Sequence, residues 1–189
     1  QLSQREIGYI LKDSGSSLLL TDKAFDWTKV PQYQELASSI RQLAIDAYTE
    51  TDAPDAPALP ADFSSQEPYV IIYTSGTTGH PKGALLSHEN VTCNAQQVQA
   101  VLQIRREDRI LCVLPLYHCF CLITSLMNPL LAGAAIFLFD SYTIKNVVQD
   151  IREHGLTVLY LVPSICSVLL QTAEPEDLKT VRYTILGGT

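Results

Sequence analysis

The chain has 189 residues, of which 47% are hydrophobic and only 17% charged, and its formal net charge is −7. This length suffices for one domain with a substantial core, and an acidic chain without basic stripes excludes the usual class of nucleic-acid-binding proteins. The sequence has no signal peptide and no apolar run of about eighteen residues, so it predicts no transmembrane segment.

The first part of the chain predicts a small α/β segment. Residues 4–13 have helical spacing of apolar side chains, and Gly15 is placed to end that helix. Residues 17–21 predict a short buried strand, and residues 32–45 predict a second helix in which Leu36, Ile40 and Leu43 share one face. Because charged residues are scarce, we expect part of the chain to pack against more protein.

Residues 50–67 combine prolines with acidic and small residues, which is typical of a solvated connector. We therefore divide the chain into a leading segment (1–49), this connector (50–67) and a longer segment (68–189).

From residue 69 onward, apolar strands alternate with helices. The predicted strands are 69–74, 83–87, 109–114, 134–139, 157–162 and 182–186. The predicted helices are 88–102, capped by Ser87, then 120–132, a helix that follows Thr143 and runs to His154, and 164–173. This order predicts a layered α/β fold with mainly parallel sheets flanked by helices.

Residues 73–83 read YTSGTTGHPKG and carry the strongest functional signal. A β-prone run leads into hydroxyls, glycines and Lys82, which is the chemistry needed to wrap a polyphosphate. The spacing fits neither a Walker A loop nor a dinucleotide-binding fingerprint, and Pro81 disfavours a helix directly after the loop. We predict a hairpin-like clamp between two short strands; the alternative is an ordinary surface loop rich in Ser, Thr and Gly.

This string resembles the phosphate-loop signature of adenylate-forming enzymes, a family that includes acyl-CoA synthetases, 4-coumarate–CoA ligases, luciferases and adenylation domains of peptide synthetases. The resemblance spans nearly the whole chain. It implies part of the family's large N-terminal domain, without the small C-terminal lid domain. It also implies that the ATP phosphates are bound by Thr74, Ser75, Gly76, Thr77, Thr78, Gly79 and Lys82.

Two further segments resemble family motifs beside the nucleotide. Leu114-Pro115-Leu116-Tyr117-His118 resembles the motif that lines the acyl pocket, which places His118 and Phe120 on the substrate side; the alternative is a core histidine held by a backbone carbonyl. Gly187, Gly188 and Thr189 resemble the loop that seats adenine, where two glycines allow backbone to approach a flat ring; the alternative is a simple turn.

The family reaction implies ATP, Mg²⁺ and coenzyme A, or a carrier protein in place of coenzyme A. A small-molecule carboxylic acid is first activated as an acyl-adenylate, and a thiol then takes the acyl group. The family's magnesium-binding Thr-Glu motif, ribose-binding Asp and catalytic Lys have no counterpart here. We therefore assign no catalytic residue and no metal ligand, and expect residues 1–189 alone to have little activity.

The apolar helix after His118 favours a fatty acyl or coumarate-type CoA ligase, with a role in fatty acid metabolism. Alternatives are an adenylation domain that loads a carrier protein, a non-catalytic nucleotide-binding module, and an ATPase. The cysteine count of five is odd and no C-x-x-C occurs, so we expect buried free thiols in the cytoplasm, with peripheral membrane attachment left open. The His118-Cys119-x-Cys121 string lacks a second ligand pair for a metal.

Overall fold

The computed structural model describes residues 2–45, 58–74, 81–139 and 142–188. The predicted phosphate-binding residues Ser75, Gly76, Thr77, Thr78 and Gly79 lie outside the described residues, as do Thr189 and residues 50–57 of the predicted connector. The chain divides into two compact units, Gln1–Leu85 and Leu86–Thr189. None of the described helices has the length and apolar character that a membrane crossing requires.

The first unit begins with helix α1 (Gln4–Ser14), as predicted. Ser3 accepts a hydrogen bond from the Glu6 amide while the Glu6 carboxylate accepts one from Ser3, which satisfies donors at the helix start. Gly15 ends the helix in the left-handed region with φ +64°. The unit continues with strands β1 (Leu18–Thr21), β2 (Arg41–Ala44), β3 (Pro68–Thr74) and β4 (Lys82–Ser87), the last of which spans the division between units.

The predicted helix over 32–45 is wrong. Pro31–Ser38 forms a 3-10 helix, and Arg41–Ala44 forms β2, which pairs in parallel with β1 in the register Leu18↔Arg41. Ile40 is buried while Leu43 is exposed, so their helical spacing does not define one buried face. Pairing with β1, a contact distant in sequence, overrides the local pattern.

The second unit contains the remaining elements. Helices α2 (His88–Leu102), α5 (Ile144–His154) and α6 (Pro163–Thr172) are continuous; Ser87 caps α2 as predicted, and Thr143 caps α5. Helix α3 (Cys119–Cys121) continues through a π-helical segment (Leu122–Met127) into α4 (Asn128–Ala132). The strands are β5 (Arg109–Cys112), β6 (Ala135–Leu138), β7 (Val158–Leu161) and β8 (Tyr183–Leu186).

The π-helical segment is not expected from the sequence. Pro129 follows it closely and lacks the N–H that would bond the carbonyl of Ser125 in a regular α-helix. Loss of that bond explains why the helix widens just before the proline, and such widened turns occur frequently at functional sites.

The four strands of the second unit form one parallel sheet in the order β6-β5-β7-β8, so the predicted α/β class is confirmed. One face packs on α5 and α6 through a cluster that includes Leu111, Ile151 and Leu159. The other face packs on α2, α3 and α4 through Ile110, Val158 and Tyr160. Alternate residues of β5 and β7 therefore point to opposite layers, as strands covered on both faces require.

Asp108 ties together the starts of three strands at the amino edge of this sheet. Its carboxylate is 2% exposed and accepts hydrogen bonds from Arg182 Nη1 (2.6 Å), Thr157 Oγ1 (2.7 Å) and the Arg105 amide (2.7 Å). Burial raises the pKa of Asp108, but these hydrogen bonds outweigh it, so the net pKa is lowered. The network is structural and lies at the edge opposite the candidate site.

Candidate functional site

The candidate site lies at the carboxyl edge of the parallel sheet in the second unit. There β5, β7 and β8 end at Cys112, Leu161 and Leu186. From β5 the chain runs to β6 on one side, whereas from β7 it runs to β8 on the other side. In open α/β sheets, ligands bind outside the carboxyl ends of the strands at such a change of direction. The segments 113–118 and 187–188 leave the sheet at this edge.

Phe120 and Gly187 are in direct contact at this edge. A Cβ atom built on Gly187 would lie 2.7 Å from Phe120 Cε2 and 2.8 Å from Cζ, so only glycine leaves room for the ring. The Phe120 ring is half-buried and packs edge-on against Tyr160, with centroids 6.1 Å apart. The structure therefore brings together the residue predicted for the acyl pocket and a glycine predicted to approach adenine.

The backbone after β8 is held in a defined shape. The Gly187 amide donates to the Leu161 carbonyl oxygen (3.1 Å), which ties this segment to the end of β7. Gly188 has φ +73°, a left-handed conformation that residues with a Cβ adopt only under strain. A Cβ atom at Gly188 would lie 3.6 Å from Val162, in ordinary contact, so backbone conformation rather than space favours glycine there.

His118 is exposed and begins α3. Its Nδ1 accepts a hydrogen bond from the Phe120 amide (3.2 Å), so the imidazole is the N-terminal cap of the helix that carries Phe120. The alternative of a core histidine held by a backbone carbonyl is therefore wrong, because the ring is outside the core and its backbone partner is an amide. Nε2 is the ring nitrogen left for a ligand to approach.

Within the first unit, Thr74 and Lys82 flank the predicted phosphate loop. Both are exposed; Thr74 Oγ1 lies 3.4 Å from the Lys82 carbonyl oxygen across the paired strands β3 and β4. The Lys82 ammonium forms no ion pair with a carboxylate in the part of the chain that the structure describes. No described acidic group neutralises its charge, which leaves the charge available for a phosphate, as binding of a phosphate requires.

The strands around the loop are fixed by contacts that the sequence does not reveal. A Cβ atom on Gly83 would lie 2.8 Å from Ile71 Cγ2 and 3.1 Å from Tyr73 Cζ. The Tyr73 hydroxyl donates to Asp13 Oδ2 (2.7 Å); burial, together with this carboxylate, raises the pKa of Tyr73 to about 12. A tyrosine that directly follows the aliphatic run Val70-Ile71-Ile72 is the available signal for such an anchor.

The prediction that the cysteines are buried is correct for only two of the five. Cys112 and Cys121 are buried, but Cys93 and Cys119 are exposed and Cys166 is half-buried. Within the described ranges, the group of three potential metal ligands is Asp150, Glu153 and His154 on α5, and His118, Cys119 and Cys121 form no such group. Exposed acidic groups of this kind are common without a bound metal.

The model of the family described as "AMP-binding enzyme" matches residues 1–189. The chain is 31% identical to a sulfoacetate–CoA ligase of Cupriavidus necator over 94% of its length, and 30% identical to 4-coumarate–CoA ligase 3 of Arabidopsis thaliana over 98%. It covers 36% of each of these two proteins. It is also 31% identical, over 95% of its length, to a plipastatin synthase of Bacillus subtilis, of which it covers 5%.

Among solved structures, the chain is similar to O-succinylbenzoate coenzyme A synthetase from Bacillus subtilis in complex with AMP. The match has a TM-score of 0.81 and 29% sequence identity, and covers the whole of this chain and 46% of the other. The chain thus spans less than half of the length of the proteins that it matches here.

Proposed function

Because the chain belongs to the AMP-binding enzyme family, we propose that the full-length protein is an acid–thiol ligase. It activates a carboxylic acid with ATP to an acyl-adenylate and passes the acyl group to the thiol of coenzyme A. The observation that carries this proposal is the contact of Phe120 with Gly187, because it joins the two segments assigned to the acid and to the nucleotide at one sheet edge.

The first step forms a bond between a carboxylate oxygen of the substrate and the α-phosphorus of ATP, and pyrophosphate leaves. Two anions must be brought together, so the protein has to neutralise charge and hold the reacting atoms in line. We assign the polyphosphate tail to Thr74, Ser75, Gly76, Thr77, Thr78, Gly79 and Lys82. The Lys82 ammonium opposes the phosphate charge, and the loop amides and hydroxyls replace water as hydrogen-bond partners.

The acid and the adenine ring are assigned to the carboxyl edge of the parallel sheet. Phe120 provides an apolar wall for the acyl group, and His118 holds the helix that presents it. The backbone of Gly187 and Gly188, continued by Thr189, offers a surface without side chains at two positions, against which a flat ring can pack. In the second step the thiol sulfur attacks the acyl carbon, and AMP leaves.

Mg²⁺ supplies charge neutralisation to ATP in such reactions, but this chain's described residues do not fit a magnesium site at the candidate edge. The acidic group that they do form, Asp150 with Glu153 and His154, ends α5 and is largely exposed. We therefore assign no step to a metal ion, and its ligands are expected outside residues 1–189.

The similarity to the plipastatin synthase favours one second candidate, in which the acyl group passes to a carrier protein instead of coenzyme A. The apolar Phe120 wall favours a fatty or aryl acid in either case. We further propose that the protein acts in the cytoplasm.

An ATP–pyrophosphate exchange assay on the full-length protein tests the activation step. Short, long and aromatic carboxylic acids are offered in parallel, and acid-dependent exchange is expected for the apolar acids. Thioester formation is then compared between coenzyme A and a phosphopantetheinylated carrier protein, which separates the two acceptors. Calorimetric binding of ATP without exchange for any acid would instead support a non-catalytic nucleotide-binding module.

His118 can be tested for a role beyond capping. The asparagine introduced by H118N retains a side-chain oxygen that caps a helix, whereas H118A loses the cap at a cost of about 1 kcal/mol in stability. If His118 contacts the acid, both variants raise the KM for the acid while only H118A is destabilised. If H118N keeps the wild-type KM for the acid, the role of His118 is limited to capping the helix.

A further inference from the structure

Two buried sulfur atoms of the second unit lie in contact beneath the candidate site. Cys112 ends β5 and Cys121 ends α3; their Sγ atoms are 3.6 Å apart, and both residues are at most 2% exposed. The Cys121 thiol lies 2.9 Å from the Leu114 carbonyl oxygen, to which it donates. The proposed reaction uses neither thiol.

A hydroxyl is buried beside the two thiols. Ser125, in the π-helical segment, is fully buried, and its Oγ has no hydrogen-bond partner among the residues that the structure describes. The contact between the thiols lowers the pKa of Cys121 and raises the pKa of Cys112, and burial raises both. Because the two Sγ atoms are in contact, Cys112 lies within reach of a sulfenic acid formed on Cys121.

We propose that Cys112 and Cys121 are an oxidative modification site, at which a hydroperoxide forms an intramolecular disulfide that turns off the site at the carboxyl edge. The Cys121 thiolate attacks the peroxide oxygen and the O–O bond breaks, which gives a sulfenic acid and releases the leaving oxygen as water or alcohol after protonation. Cys112 then attacks that sulfur, the S–O bond breaks, and water leaves. The two thiols are oxidised and the peroxide is reduced.

We expect formation of the bond to move the helix that carries the predicted pocket. The sulfurs have to approach from 3.6 Å to about 2.05 Å, and Cys121 loses the hydrogen bond that its thiol donates to the Leu114 carbonyl oxygen. Cys121 is adjacent to Phe120, whose ring already touches Gly187 without spare room. Displacement of Cys121 toward β5 therefore displaces the Phe120 ring. The effect of this displacement on activity rests on the proposed function, whereas formation of the disulfide does not.

The bond is tested by peptide mapping. The full-length protein is treated with hydrogen peroxide under native conditions, remaining thiols are alkylated, and digestion is carried out without reductant. A peptide pair joining Cys112 to Cys121, lighter by two hydrogen atoms and separable by dithiothreitol, is expected. The exposed thiols Cys93 and Cys119 are the internal control. Their oxidation, with Cys112 and Cys121 left as separate alkylatable thiols, would overturn the proposal.

The effect on the site is tested in the same samples. Because misplacement by about 1 Å can cost up to about a hundredfold in rate, we expect kcat/KM for acid-dependent exchange to fall tenfold or more and to recover with dithiothreitol. C112A and C121A should resist, and a C93S/C119S double variant should respond like the wild type. Equal inactivation of C112A and wild type would refute the switch, whereas a mapped disulfide in a protein without exchange activity would leave the modification standing and reject the proposed function.

Discussion

Contacts of individual residues describe the candidate site in more detail than the local sequence pattern does. Gly187 leaves room for Phe120, whereas the neighbouring Gly188 is required for its backbone conformation. His118 combines an exposed ring with the capping of α3. Two adjacent glycines thus have different physical roles, which substitution experiments can separate.

A double-mutant cycle tests the contact between Gly187 and Phe120. G187A places a methyl group against the ring, so it should lower the free energy of unfolding by about 1–3 kcal/mol. In G187A/F120L the smaller side chain removes the clash, and a coupling energy of about 1 kcal/mol is expected from urea unfolding of the full-length protein. G188A, whose Cβ would meet Val162, is the control and should not couple with F120L. Additive effects in G187A/F120L would contradict the contact.

Helices and strands of the chain follow the sequence where their signals are local. Ser87, Thr143 and Gly15 begin or end helices as predicted, because capping depends on residues within one turn. The helix predicted over β2 is wrong because the partner strand, β1, lies outside any local window. The π-helical segment could not be predicted from the local sequence either. Pro129 predicts an interruption of the helix, but it does not indicate how the helix accommodates the proline.

The pairing of β3 and β4 around the predicted phosphate loop can be tested at Gly83. In G83A the added Cβ would lie 2.8 Å from Ile71 and close to the Tyr73 ring, so the strand that leads into the loop must shift. We expect the Kd for ATP, measured by calorimetry, to rise about tenfold, because loop amides would be misplaced relative to the phosphates. A84S on the same strand is the matched control and should leave the Kd for ATP unchanged. An unchanged Kd in G83A would show that nucleotide binding does not depend on the pairing of β3 and β4.

The second unit as a whole depends on a buried charge that sequence reasoning does not identify. Asp108 and Arg182 are far apart along the chain, so no spacing rule connects them, yet they fix three strand starts. The contact of Phe120 with Gly187 is hidden for the same reason. By contrast, the α/β class and the motif segments could be predicted, because alternating apolar periods and contiguous strings are local properties.

D108N tests this network. Arg182 would lose its carboxylate partner, and we expect the free energy of unfolding at pH 7 to fall by about 2–3 kcal/mol. E107Q removes a neighbouring exposed charge and should change it by less than about 0.5 kcal/mol. Urea unfolding of the full-length protein, monitored by circular dichroism, provides the measurement. A loss in D108N no larger than that in E107Q would contradict a structural role.

The same pair predicts how stability depends on pH. The pKa of Asp108 is lower in the folded state than its ordinary value, so its stabilisation is fully present above the ordinary pKa of about 3.9 and is lost as pH falls through the folded-state value. The difference in unfolding free energy between wild type and D108N should therefore be constant above about pH 5 and shrink below about pH 4. A difference that grows on acidification would contradict the lowered pKa.

The strand order also dictates when the sheet can assemble. The first partner of β5 is β6, which follows α4 in the chain. The other edge of β5 pairs later with β7, in the register Ile110↔Val158. The centre of the sheet therefore closes over a long stretch of chain, and such high contact order slows folding. During synthesis, one edge of β5 stays open until β7 emerges, which makes that interval the one in which a nascent chain is most vulnerable to aggregation.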